Sequence, residues 1–184
     1  MIANSVFPIL HSFGAIRTGS GLLKSQPMAG TLHKFFALNT AEKAMLFKAW
    51  VLLGYTRAAI LTVSFKRLAA PLEHHRDTIA PAPVTGQQRH HASRIGYLVS
   101  AAAHYTPWQS LCLTQVLVTQ RLLAKRGIPG QFYLGVRRGC ELTDDPTGLS
   151  AHAWLQCGDQ IVNGAAGHER FTVVSTFRWG AAHD

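Results

Sequence analysis

The sequence predicts an α+β fold in which a helix carrying a cysteine near its start packs on an antiparallel sheet, preceded by an α-helical amino-terminal part. Three observations carry this. Between Asn39 and about Lys125 the apolar residues of the expected helices recur at three- and four-residue steps, the period of a helix with one buried face. From Gln131 onward they alternate, which is the period of strands. Between two of the alternating runs stands Gly158-Asp159, a two-residue turn that makes its neighbours antiparallel. At 184 residues, 47% hydrophobic and 15% charged, the chain is long enough and apolar enough to bury one domain with a helical appendage, and disorder is excluded.

Taken in order, residues 1–38 show no sustained period and hold turn formers such as Thr18-Gly-Ser-Gly21 and Pro27, so they read as a loosely structured extension. Met1 to Ile16 lack a basic leading region and a small-residue cleavage site, so no signal peptide is predicted. Residues 39–87 read as a helical part with a linker. Asn39-Thr40 followed by Glu42 is a helix start. Phe47, Trp50, Val51, Gly54, Ala58, Leu61, Phe65 and Leu68 then give one apolar stripe to about Ala70, where Pro71 stops it. The run from Ala49 to Phe65 contains Arg57 and is short for a membrane span, so a soluble amphipathic helix is the reading. Pro71, Pro81, Pro83 and Gly86 mark the linker.

Residues 88–184 read as the core. A helix is expected over Gln88 to Ala103. A second is expected from Thr106-Pro107, with Gln109 three residues after the cap, running to about Lys125 and closed by Gly127. Strands follow at Gln131–Arg137, Ala151–Cys157, Gln160–Asn163 and Arg170–Phe177, with the stretch from Gly139 to Ser150 as a loop over the site.

Charge and cysteine content narrow the function. The net charge is +9, and residues 1–76 hold nine Lys or Arg against Glu42 and Glu73, whereas the remainder is nearly balanced. A solvated basic helix face is preferred over contact with an anionic membrane surface or acidic protein, and no motif supports nucleic-acid binding. Three irregularly spaced cysteines make neither a disulfide framework nor a zinc site, which points to the cytoplasm. The adjacent pairs His74-His75 and His90-His91 point different ways on any regular element and are not read as metal ligands.

One cysteine and one histidine stand apart. A thiol attacks as thiolate, which a helix amino terminus or a neighbouring imidazole favours. Cys112 lies in the first two turns of the helix expected from Thr106, as its sixth residue, so much of its activation falls to a histidine. His152 shares a strand face with Trp154 and Gln156; if that face packs on the cysteine helix, imidazole meets thiol. The alternative is a buried apolar cysteine and a satisfied core histidine.

The blocks Trp108-Gln-Ser-Leu-Cys-Leu, Leu122-Leu-Ala-Lys-Arg-Gly-Ile, Tyr133-Leu-Gly-Val-Arg and Ala151-His-Ala-Trp-Leu resemble a known family. It is that of the transglutaminase-like leader peptidases of lasso-peptide biosynthesis, the B proteins. The resemblance extends over roughly residues 32–177. It implies a papain- or transglutaminase-like core with a Cys-His-Asp triad, in which Cys112 attacks the leader–core junction of a precursor peptide and His152 moves the proton. It implies three partners: the precursor peptide, a separate leader-recognition protein, and an asparagine-synthetase-like lasso cyclase that uses ATP. ATP dependence has been attributed to the peptidase as well, yet no phosphate-binding glycine loop is present, so neither a nucleotide nor a metal site is assigned.

The chain departs from the family where the acid is expected, since Val162-Asn163-Gly164 stands in place of a pattern like Val-Asn-Asp. With a simple hairpin Asn163 pairs with Trp154 and shares the face of His152, so its amide is the preferred orienting group. Asp159, Glu169 or no third member are the alternatives, and Gly164 itself is expected to orient nothing. The Cys112 N–H is the expected oxyanion donor by analogy, with Gln109 or Trp108 as side-chain candidates. Besides the peptidase, two readings stay open: a thiol acyltransferase of transglutaminase type, and a non-catalytic peptide-binding scaffold.

Overall fold

The computed structural model describes residues 38–76, 79–138 and 149–180. Residues 1–37 of the expected extension, Cys140 and most of the expected loop over the site lie outside the described residues.

Helix α1 (Thr40–Thr62) begins as its sequence demands. The Asn39 side chain accepts from the Glu42 N–H at 2.8 Å, and the Glu42 carboxylate accepts from the Asn39 N–H at 3.0 Å, a reciprocal cap. Glu42 also takes the Arg94 Nε at 2.6 Å, which ties the start of α1 to the next long helix. The expected single helix to Ala70 is interrupted. Val63 and Ser64 are extended, and a short α2 (Phe65–Ala69) follows. Thr62-Val63-Ser64 is a run of poor helix formers, which accounts for the break.

The expected stripe on α1 is also corrected. Its buried residues are Ala49, Leu53 and Thr56, while Phe47, Val51 and Leu61 are 68%, 47% and 69% exposed. The helix is apolar on both faces, and periodicity could not choose between them. By length and composition alone α1 could cross a membrane; in this fold one face packs against the two long helices that follow.

The stretch read as a linker contributes strand β1 (Glu73–His75). Helix α3 (Gly86–His104) starts two residues earlier than expected, at a Thr85–Gln88 capping box. Helix α4 (Cys112–Ala124) ends at Gly127, whose φ is +64°. The Gly127 N–H reaches the Ala124 carbonyl at 3.0 Å and the Ile128 N–H the Leu123 carbonyl at 3.1 Å, a closure that favours glycine.

Strands β2 (Gly130–Arg138), β3 (Leu149–Cys157), β4 (Gln160–Asn163) and β5 (Thr172–Trp179) complete a five-stranded sheet of order β1-β5-β2-β3-β4. Every pairing is antiparallel. The helices cover one face of this sheet. Ala49, Leu53, Val99 and Val116 share one buried cluster with Phe132, Ala153, Leu155, Cys157 and Phe177, so α1 belongs to the same core as the sheet.

The β3–β4 hairpin holds the detail that matters for the site. Cys157 pairs with Gln160 and Gln156 with Ile161, but Leu155 pairs with Asn163. Val162 is therefore an extra residue, a β-bulge, and everything after it moves across the sheet. Its carbonyl presses on α3 at Gly96, where a Cβ would lie 1.9 Å from the oxygen. A glycine inside a helix costs about 1 kcal/mol; here it makes room for the bulge.

Candidate active site

Cys112 is the first residue of α4, not the sixth. The expected cap at Thr106 does other work. Its hydroxyl oxygen lies 2.8 Å from the Ala103 carbonyl, 2.9 Å from the Trp108 carbonyl and 2.8 Å from the Ser110 hydroxyl, so it organises the loop that joins α3 to α4. Leu111 caps α4 without a side-chain bond. The first N–H groups of the helix are thus left for whatever lies at its amino end.

What lies there is the sulfur. Burial pushes the Cys112 thiol above its ordinary value, while the backbone N–H groups of Ala153, Leu113 and Cys112 pull it down. Two of these donors belong to the helix start. The third, Ala153, lies beyond the last β3–β4 pair, where that edge of β3 has no strand partner among the described residues.

Ala153 is the residue after His152, so the fold brings the thiol to the peptide that follows the histidine. It does so differently from expectation. The face of β3 that packs on the helices is that of Ala151, Ala153, Leu155 and Cys157, and the His152 side chain leaves from the opposite face. There the imidazole is flanked by Trp154, with ring centroids 5.9 Å apart, and Phe171, at 5.2 Å. Trp154 is stacked in turn on Tyr133 at 5.4 Å. The His152 Nε2 lies 2.8 Å from the carbonyl oxygen of Gly164. A carbonyl only accepts, so Nε2 carries hydrogen. Burial holds the imidazole below its ordinary value, helped by the neighbouring His168, while the Gly164 carbonyl and the Glu169 carboxylate work in the opposite direction.

Both shifts favour the neutral forms, and neither group is a cause of the other's shift, so the two do not form an ion pair in this structure. Negative charge developing on or beside the sulfur would lie within reach of the N–H groups that surround it. Of the side chains considered as donors, Gln109 is exposed, while Trp108 packs on Trp50 at 5.1 Å and over Gly54, its buried indole N–H without a partner among the described residues.

Asn163 is not beside His152. The bulge sets it opposite Leu155 on the helix-facing side, where it is 4% exposed and its Nδ2 donates to the Ser100 hydroxyl at 3.0 Å. Asp159 pairs with Arg89 at 3.0 Å. Glu169 lies 3.3 Å from His168 Nδ1 and 3.9 Å from Arg170 Nε. The groups that sequence reasoning missed are the Ala153 N–H and the Gly164 carbonyl, which have no side-chain signature. The signs of them in the sequence are two glycines, Gly96 and Gly164, at positions where nothing larger fits.

A family model described as the transglutaminase-like superfamily matches residues 56–176, from the middle of α1 into β5 and well over half of the chain. Among curated proteins and among solved structures, none matches.

Proposed function

The chain belongs to the transglutaminase-like superfamily, and we propose that within it the protein is a cysteine peptidase that removes the leader from a lasso-peptide precursor. The observation that carries the thiol chemistry is the placement of Cys112 as the first residue of α4, its sulfur facing three backbone N–H groups, one of them on the residue after His152. The substrate rests on the sequence blocks around Cys112 and His152 and their resemblance to the leader peptidases.

In this reading the Cys112 sulfur bonds to the carbonyl carbon at the leader–core junction while the bare Nδ1 of His152 takes the thiol proton. The tetrahedral oxygen is held by the backbone donors. Collapse breaks the C–N bond, and the imidazolium returns the proton to the leaving amine. Water, deprotonated by the same nitrogen, then releases the acyl group and restores the thiol. A separate recognition protein delivers the leader, and a cyclase that consumes ATP takes up the freed core. No nucleotide site is assigned to this chain.

The test is to incubate the purified protein with precursor and recognition protein, with and without Cys112→Ala, and to follow the products by mass spectrometry. Free leader with a new carboxylate, abolished by the substitution, is expected. An amide or cross-linked product identifies a transferase, and leader release that persists in Cys112→Ala removes the reading.

A further inference from the structure

We propose that the backbone carbonyl of Gly164 is the third member of the site, holding His152 with hydrogen on Nε2 and leaving Nδ1 as the base, in the place where the related peptidases use a carboxylate. The inference rests on the cysteine chemistry proposed above and adds what positions its base.

Four observations converge on it. The oxygen lies 2.8 Å from Nε2, a distance at which the ring's tautomer is set, because a carbonyl has no hydrogen to give. Gly164 has φ +73°, and a Cβ there would lie 2.4 Å from the Ala153 oxygen and 2.9 Å from the Trp154 Cα. Those are backbone atoms of β3 that cannot rotate aside, so the turn accepts no carboxylate at this position. No other side chain bonds the ring among the described residues: Asn163 lies on the helix-facing side with its Nδ2 on Ser100, Asp159 pairs with Arg89, and Glu169, paired with His168 and Arg170, acts on the imidazole through its charge alone. Finally, Trp154 and Phe171 flank the imidazole and limit its swing away from the carbonyl.

Gly164 is a positioning residue, and its carbonyl differs from an acid in one respect. It fixes the tautomer but supplies no full negative charge, so the imidazolium formed during turnover is less stabilised than beside an aspartate.

The decisive measurement is nitrogen NMR of the full-length protein labelled with 15N-histidine, the His152 signals being assigned by their loss in His152→Gln. Above the ring's titration, a neutral imidazole protonated on Nε2 with a bare Nδ1 is expected. Protonation on Nδ1, or averaging between the two tautomers, overturns the proposal. No substrate is required, so this result is independent of leader release. If Nε2 is protonated but no precursor is cleaved, the positioning role stands and the peptidase reading falls.

A second arm compares Gly164→Ala and Gly164→Asp for leader release and for the rate at which an alkylating agent labels Cys112, with thermal melting to show which variants fold. Both are expected to lose activity, by roughly 100-fold for a displaced base. A folded Gly164→Asp that matches or exceeds the parent shows that a side-chain acid is accommodated, and overturns the proposal. Should both variants unfold, the tautomer in the parent protein decides.

Discussion

Cys112 and Cys157 are the same residue type in two environments. Cys157 lies on the helix-facing side of β3, fully buried, and burial alone pushes its thiol up to about 12. Cys112 is also held up by burial, but backbone N–H groups from three residues oppose it. The difference is made by polar donors, and they come from two places at once: the uncapped start of α4 and the edge of β3 beyond its pairing with β4. Burial without such donors leaves a small core residue; burial with them leaves a thiol whose ionised form has partners.

The sharpest way to break this comparison is substitution. Cys112→Ala is expected to lower leader release by about 1,000-fold or more, whereas Cys157→Ala keeps the activity and costs about 1 kcal/mol of stability through the small void it leaves. Alkylation of the folded parent followed by peptide mapping reads the same contrast. Equal labelling of the two thiols ends it.

The pH profile is the next test, and its sign follows from the direction of the shift. The His152 imidazole is held below the ordinary 6.5, and in the proposed mechanism its neutral form is the base. Activity should persist as pH falls through 6.5 and be lost only at the lower, folded value. Over that interval an unfolded chain binds a proton that the folded chain refuses, so stability also declines as pH falls. An acid limb in kcat/KM at or above 6.5 contradicts the burial described here.

Gly96→Ala tests the support behind the site. Helix propensity alone predicts a gain of up to about 1 kcal/mol, but a Cβ would lie 1.9 Å from the Val162 carbonyl, and a net loss of about 2 kcal/mol is expected. Thermal melting distinguishes the two, and a stabilised variant shows that the bulge does not press on α3. The smallest effect belongs to Asn163→Ala. It removes the hydrogen bond to Ser100 at a cost of about 1 kcal/mol, with activity within about threefold of the parent. A far larger loss of activity in a folded Asn163→Ala returns this residue to the site.

The comparison also separates what is legible in a sequence from what is not. Side-chain chemistry is legible: Asn39 with Glu42 marks the start of α1, Gly127 the end of α4, and Gly158-Asp159 the hairpin turn. The α+β architecture follows from the change of period, and five antiparallel strands occupy the stretch where at least four were expected, counting β1 from the supposed linker. Other features depend on competition between partners. Thr106 has the residue type of a cap, but its hydroxyl is engaged within the preceding loop, so α4 begins later. The apolar stripe of α1 was misplaced because residues on both faces are apolar. The Ala153 N–H and the Gly164 carbonyl are main-chain groups, and every residue but proline carries both kinds.

The bulge at Val162 acts as a switch of register. Were Val162 paired with Leu155 in a regular hairpin, Asn163 would pair with Trp154, share the face of His152 and offer an amide to the imidazole; with Val162 bulged, Asn163 turns inward and the chain meets the ring as a bare carbonyl. A one-residue slip in pairing therefore separates an imidazole held by a side chain from one held by the main chain, and it does so without altering the cysteine, the histidine or the asparagine.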